Sequence, residues 1–355
     1  MSSKSETFLV TGASGFIGSQ LARHLHNEGA HVLAGMRDPD KGKFLTSQGI
    51  EVVKFDLEKP QDFQQVLPRV RTIFNVGAWM GRAPMGTEEA YLKQQRGEKL
   101  TRQEQFQAEA WGTNVIGNRD LIDAAIRANV RRFVDTSSVA VYGLPTKGII
   151  TEESPTAPYD AYSETKLASK GVLFERKYEI EVVIIRPAQV IGEQDSRWTL
   201  QPFEKVRDGQ IVLVGSGKGT FNPTYIGNLV KLFELASQKS EAVGQVYNGV
   251  DTTITFGEYV QYFERMLEIE AKRLRAPLWS AVLAARALEF VSPLTRIHPP
   301  LSGSDLRFLD GQVSFSNEKA RKELGWVPTV SIPQAMVNIE NWLKETGKLS
   351  SASRS

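Results

Sequence analysis

In the stretch AYSETK, residues 161–166, Tyr162 and Lys166 stand four positions apart. On a helix that spacing puts both side chains on one face. A free phenol has a pKa of about 10 and is a poor base at neutral pH. An ammonium beside it stabilises the phenolate and lowers that value. The pair could therefore carry a proton to or from a substrate oxygen. The same spacing also suits two ordinary residues of a helix surface, so the surroundings must decide. The rival tyrosines lack the partner: Tyr142 has Thr146 four positions on, and Tyr159 has Ser163. One element earlier, DTSSVAVYG at 135–143 supplies hydroxyls that could polarise the same oxygen.

A second constellation names the kind of ligand. TGASGFIG, residues 11–18, follows the strand FLV directly and opens a helix, with Gly12, Gly15 and Gly18 spaced by three. Glycine permits the tight turn, the close approach of a pyrophosphate and close helix–strand packing. The helix N-terminus adds open N–H groups and the positive end of a dipole. Gly12, Ser14, Gly15, Phe16, Ile17 and Gly18 are thus the expected cradle of a dinucleotide.

The end of the second strand selects among dinucleotides. An acid there binds ribose hydroxyls, as in NAD enzymes; an arginine meets the 2′-phosphate of NADP. The sequence is AHVLAGMRDPDK, with Met36 at the strand end and Arg37 after it. This favours NADP, with NAD as the alternative: Asp38 is the ribose acid if the register slips by two, and Arg37 is then a surface residue. Asp56 and Leu57, in KFDLEK, follow the third strand. Asp56 either contacts the adenine or caps the next turn.

These residues need a scaffold. FLV (8–10), HVLAG (31–35), EVVKF (51–55), TIFNVG (72–77), RRFVDTS (131–137) and EVVIIRP (181–187) read as strands, with helical patterns between them. Ile17, Leu21 and Leu25 share one helix face. Such alternation predicts an α/β fold: a Rossmann-type doubly wound parallel sheet that binds ligands at the carboxyl ends of its strands. Residues 1–187 are expected to form this domain, with a return crossing near 221–250. Residues 188–345 mainly form a smaller substrate-binding lobe, and 346–355 read as a disordered tail. The polar stretch from Trp79 to Trp111 breaks the rhythm at the ligand-binding edge. It is either a substrate-side flap or a solvated helical insertion.

The totals exclude several classes. A net charge of +2 gives no sign of a nucleic-acid partner. With no cysteine, disulfides and thiolate metal sites are excluded, and a reducing, cytoplasmic compartment is the natural reading. The N-terminus lacks the apolar core of a signal peptide, and no window has the ~18 apolar residues of a membrane span. His24, His26, His31 and His298 form no ligand pattern, so no catalytic metal is expected.

TGASGFIG, Asn114 in WGTNVIGN, TSSVAVYG, YSETK and IIRPAQVIG stand in the order seen in extended short-chain dehydrogenases/reductases, and the chain resembles that family over roughly residues 7–345. The resemblance implies that Tyr162 is the catalytic acid/base and that Lys166 holds the nicotinamide ribose and lowers the tyrosine pKa. It implies that Ser138 hydrogen-bonds the substrate oxygen, with Ser137 as its rival. Asn114 then organises backbone, and Pro187 falls near the nicotinamide. Dimerisation through helices beside the sheet is a further family expectation. FNPTYIGNLVKLFELA (221–236) and FSNEKARKELGWVPTVSIPQAM (315–336) resemble the 3β-hydroxysteroid dehydrogenase branch, whereas GMRDPDK is closer to plant reductases that use NADPH.

The expected activity is hydride transfer between NADP and a carbonyl or secondary alcohol of a hydrophobic, sterol-like or other, small molecule. The alternative on the same fold is a nucleotide-sugar epimerase or dehydratase with tightly held NAD, for which Arg197 and Lys218 could meet a diphosphate. A cofactor-sensing protein without catalysis is disfavoured, because such relatives often lose the tyrosine or the lysine. The segment PLWSAVLAARALEFVSPL, 277–294, reads as a core helix of the second lobe, the roof of an apolar pocket or a membrane-surface contact.

Overall fold

A computed structural model describes residues 6–81, 83–209, 211–214, 218–270, 274–276, 279–280, 283 and 311–349. In chain order the first half contains β1 (Thr7–Thr11), α1 (Phe16–Asn27), β2 (His31–Met36), α2 (Lys43–Thr46), β3 (Glu51–Lys54), α3 (Pro60–Val66), β4 (Thr72–Asn75), α4 (Thr87–Gln95), α5 (Arg102–Trp111), α6 (Gly117–Arg127), β5 (Arg132–Thr136), β6 (Lys147–Ile150) and α7 (Ala161–Glu175). The second half contains β7 (Glu181–Pro187), β8 (Gln189–Ile191), α8 (Gln201–Arg207), β9 (Val212–Val214), β10 (Thr220–Phe221), β11 (Pro223–Tyr225), α9 (Ile226–Gln238), β12 (Val246–Gly249), β13 (Ile254–Thr255), α10 (Phe256–Leu267), β14 (Leu274–Ala276), β15 (Gln312–Phe315) and a last helix, α11 (Ile332–Glu345).

Seven strands form one parallel sheet in the order β12-β7-β5-β4-β1-β2-β3. The doubly wound fold expected from the alternating pattern is present. From β1 the chain winds outward through β2 and β3, then returns to place β4 on the other side of β1. That reversal opens a crevice between the carboxyl ends of β1 and β4, where such sheets bind ligands.

Each strand feeds both faces of the sheet. Val10, Ala34, Phe74, Val134, Val183 and Ile185 pack with Leu21 and Leu25 of α1 and Leu229 and Phe233 of α9. Leu9, Leu33, Ile73, Phe133, Val182 and Ile184 pack against α3, α6 and α7. Near-continuous apolar runs are what a strand covered on both faces requires. Burial at about 25 cal/mol per Å² of apolar surface is the main term holding these layers together. β12 joins beside β7 from residues 246–249, and Trp326 and Ala335 enter the α1–α9 core.

A third core holds the substrate-side lobe: Phe203, Val206, Phe221, Tyr259, Phe263, Met336 and Leu343. Phe221 and Tyr259 stack at 4.2 Å between centroids. The polar stretch 79–111 is largely helical: α4 and α5 pack side by side, so the inserted-helix alternative describes its backbone. Thr346–Leu349, read from the sequence as the start of a disordered tail, instead close α11: the Leu349 N–H donates to the Leu343 carbonyl at 3.0 Å. The expectations for most of 277–294, for His298 and for 350–355 fall outside the described residues.

Candidate active site

The glycine turn between β1 and α1 sits at the sheet's crevice. Gly12 has φ +65°, and a Cβ there would lie 2.7 Å from the Gly77 Cα just past β4. At Gly18 a Cβ would lie 2.4 Å from the Gly12 carbonyl oxygen. Only glycine allows the two strand ends and the helix to approach so closely. No side chain caps the first turn of α1, where Gly15 is the N-cap, so its amides face outward. Ser14 and Gly15 are exposed, and Phe16 and Ile17 half-buried, at this rim. The Thr11 hydroxyl locks the turn by accepting from the Val76 and Gly77 N–H groups at 3.0 Å each. A dinucleotide pyrophosphate fits this cradle, with its bare backbone and open helix N-terminus.

Helix α7 begins at a defined point. Asp160 caps it, its Oδ1 accepting from the Ser163 N–H at 2.8 Å, while Ser163 reaches back to the Asp160 N–H. This places Tyr162 in the first turn and Lys166 one turn deeper. The Ser138 hydroxyl lies within hydrogen-bonding reach of the Tyr162 phenol and also accepts from the Ala140 N–H at 3.1 Å. Ser137 is buried and ties its N–H to the Ile185 carbonyl at 2.7 Å. Of the two serines, Ser138 faces the tyrosine.

Burial pushes the Tyr162 phenol up to about 12; the Ser138 hydrogen bond and the Arg197 charge oppose it, while Asp160 and Asp135 add to it. Arg197 is thus the cation that opposes this rise, while the Lys166 ammonium points elsewhere. The reason is geometric. The Lys166 ammonium is turned toward the sheet, donating to the Thr136 carbonyl at 2.6 Å, and the charge it meets is Asp135. Burial lowers the Lys166 pKa, and Asp135 raises it in part. Asp195 holds the neighbouring turn by accepting from the Arg197, Trp198 and Thr199 N–H groups.

Asn114 lies in a π-helical turn, Gly112–Ile116, between α5 and α6. Its Oδ1 accepts from the Trp79 N–H at 2.7 Å, and its Nδ2 donates to the Trp79 carbonyl at 3.1 Å and the Thr165 hydroxyl at 2.9 Å. It thus ties the chain leaving β4 to α7. Glu164 makes a second tie. Its carboxylate accepts from the Gly86 and Thr87 N–H groups at 3.0 and 3.1 Å and from the Thr87 hydroxyl at 2.8 Å, capping α4 from another helix.

The remaining predicted residues spread around the crevice. Met36 is buried in the core, Arg37 is exposed just beyond β2, and Asp38 caps the following turn through the Asp40 N–H at 3.2 Å. Asp56 likewise accepts from the Glu58 N–H at 3.2 Å. Leu57 is buried, with its Cδ1 about 3.5 Å from a Cβ built on Gly77. Pro187 ends β7 beside Gly249 of β12. Among the described residues no group of His, Cys, Asp and Glu is placed to hold a metal, and no helix is long and apolar enough to cross a membrane.

Sequence reasoning missed Thr11, Asn75, Glu164 and Asp135 as members of the site. The available signal was a polar residue ending each of two buried strands, in TIFNVG and RRFVDTS.

Comparison with known proteins gives the family and the fold. The sequence profile of the NAD dependent epimerase/dehydratase family matches residues 8–93 and 97–248. Sterol demethylase protein B of Methylococcus capsulatus is 28% identical, over 97% of this chain and 100% of its own. The 2-alkyl-3-oxoalkanoate reductase of Stenotrophomonas maltophilia is 28% identical, over 92% and 96%. The solved structure of UDP-glucose 4-epimerase from Thermotoga maritima with UDP-glucose shares the fold, with a TM-score of 0.73 at 20% identity, covering 96% of this chain and 99% of that one.

Proposed function

The chain belongs to the NAD-dependent epimerase/dehydratase family of NAD(P)-dependent enzymes, and from that footing we propose that it is an NADP-dependent oxidoreductase acting on the carbonyl or secondary alcohol of a hydrophobic small molecule. The observation that carries this reading is the half-buried Tyr162 with Ser138 in reach and Lys166 one turn below, held at the carboxyl end of β5. A bound nicotinamide supplies or takes up the hydride. Tyr162 delivers or removes the oxygen-bound proton. Ser138 donates to the substrate oxygen and holds it at the phenol. Lys166 keeps a positive charge under the site, Arg197 brings another to its mouth, and Asn114 fixes the wall between β4 and α7.

Two features favour NADP. Met36 is buried where a ribose-binding acid would stand, and Arg37 is exposed with no ion pair among the described residues. The names of the sterol demethylase and oxoalkanoate reductase relatives favour an apolar substrate. Met80 and Met85, 63% and 44% exposed on the stretch tied to α7, provide an apolar rim.

The test is Tyr162→Phe, assayed with NADPH and NADP⁺ on 2-alkyl-3-oxoalkanoates and 3-hydroxysteroids. The variant should bind NADPH like the wild type and lose about 10²–10⁴-fold in turnover. Unchanged turnover refutes the assignment. Arg197 favours a second reading, a nucleotide-sugar epimerase, because an exposed guanidinium at the mouth could meet a diphosphate. A purified protein that retains NAD⁺ and shows no net redox change would select it.

A further inference from the structure

Asp135 transfers no proton or hydride in the chemistry above, yet it is fully buried beneath it. It stands on β5 in register with Asn75 on β4, and its Oδ1 accepts from the Asn75 Nδ2 at 2.8 Å. Its Oδ2 is buried and has no hydrogen-bond partner among the described residues. The amides around it are neutral and already committed. Asn75 accepts from the Thr11 hydroxyl at 2.8 Å and donates to the Asn118 Oδ1 at 2.9 Å, and Asn118 donates to the Ser169 hydroxyl at 2.7 Å. Neither β4 nor α6 offers Asp135 a charge there. The one charge acting on it comes from α7, and it is Lys166, 2% exposed.

The relation is mutual. Asp135 is the one charged group acting on Lys166, whereas Tyr162 feels Arg197 and Asp160 as well as Asp135. An isolated buried carboxylate or ammonium would shed its charge rather than stay desolvated. Two opposite charges in one buried layer can keep each other ionised, and removing one leaves the other uncompensated. The lysine bonds to the carbonyl of Thr136, the residue after Asp135, so strand β5 holds the ammonium from two adjacent positions. An ammonium has three donors. Thr136 takes one, and Lys166 forms no contact ion pair with Asp135, so the two charges act on each other across the buried layer.

We propose that Asp135 is the buried counter-ion of Lys166, a positioning residue that keeps the lysine charged and anchored to β5 under the reacting groups. Its catalytic meaning rests on the oxidoreductase reading, but the electrostatic coupling of the two charges does not. If the pair is real, Asp135→Asn keeps the shape and the Asn75 contact while removing the charge. Burial is then unopposed at Lys166, and its pKa falls.

The experiment is ¹³C NMR titration of the full-length protein grown with ¹³Cε-lysine, the Lys166 signal being identified by its loss in Lys166→Arg. In Asp135→Asn the Lys166 midpoint should fall by about one unit or more relative to wild type. An unchanged or raised midpoint overturns the proposal. If Asp135→Asn does not fold, Asp135→Glu is titrated in its place: a displaced Lys166 midpoint upholds the pairing, and an unchanged one overturns it. Because the readout is protonation, failure of the hydride-transfer reading leaves this result intact. A merely structural Asp135 would leave the Lys166 midpoint in place.

Discussion

At the scale of single residues, Lys166 and Arg197 present their charges to different groups. Lys166 is held inward by Thr136, and the cation opposing the burial of Tyr162 is Arg197. Arg197→Gln should therefore raise the Tyr162 pKa. The limb of the pH–rate profile for alcohol oxidation, which needs a proton acceptor, should move to higher pH. The shift will be a few tenths of a unit, because Arg197 is exposed and screened; a shift to lower pH contradicts the assignment. Arg37→Ala should weaken NADPH binding about tenfold or more and leave NADH binding unchanged, as nicotinamide fluorescence titration would read. Equal effects on both cofactors would remove Arg37 from the 2′-phosphate. Tyr162, Lys166, Ser138 and Asn114 were legible because their spacing and order survive in one dimension. Asp135 and Asn75 were not, since their meeting depends on the register of β4 against β5, 60 residues apart in the chain.

At the scale of elements, the α4–α5 hairpin is fastened to the helix that carries Tyr162. Gly86, at φ +100°, offers α4 no side-chain cap, and Glu164 supplies the missing acceptor and a negative charge at the helix's positive end. Glu164→Ala should leave secondary structure intact but speed tryptic cleavage at Arg96 or Lys99, exposed in the hairpin turn, by several-fold. Unchanged cleavage would mean that packing alone holds the hairpin. The strands and long helices were legible from their periodicity. The hairpin was ambiguous because its helices are mostly polar, and their order comes from mutual packing and a cap borrowed from α7. Asp251, beyond β12, makes a different point. Burial pushes its carboxyl up to about 7, although the Tyr225 N–H and the Asn228 amide hold its charged form. An acid whose folded pKa lies above its unfolded value of about 3.9 favours the fold most at low pH. That contribution is lost as pH rises from about 4 through about 7. Asp251→Asn should flatten this slope, so its melting temperature relative to wild type should be higher by a few degrees at about pH 8 than at about pH 5. Parallel melting curves at both pH values would contradict it.

At the scale of the whole molecule, Asn228 joins parts distant in sequence. Its Nδ2 donates to the Asp251 carboxylate at 2.7 Å and the Val330 carbonyl at 2.8 Å, and its Oδ1 accepts from the Thr329 and Val330 N–H groups at 3.1 Å each. Its carbonyl takes the Trp326 indole N–H at 3.0 Å. Asn228→Ala should cost about 3 kcal/mol, because several buried partners lose their bonds at once. Urea unfolding checks this, and an unchanged midpoint would show that the contacts are incidental.

The same closure sets the order in which a nascent chain can mature. The sheet that carries the glycine cradle gains its edge strand only at residues 246–249, and one of its apolar faces is finished by Leu324, Trp326 and Ala335. A ribosome that has made only the first two hundred residues has therefore released every cradle residue but not the segments that complete the sheet beneath them. Dinucleotide binding during synthesis should begin late, when nearly the whole chain has left the exit tunnel. Until then the exposed underside of the sheet is a surface for chaperones to guard.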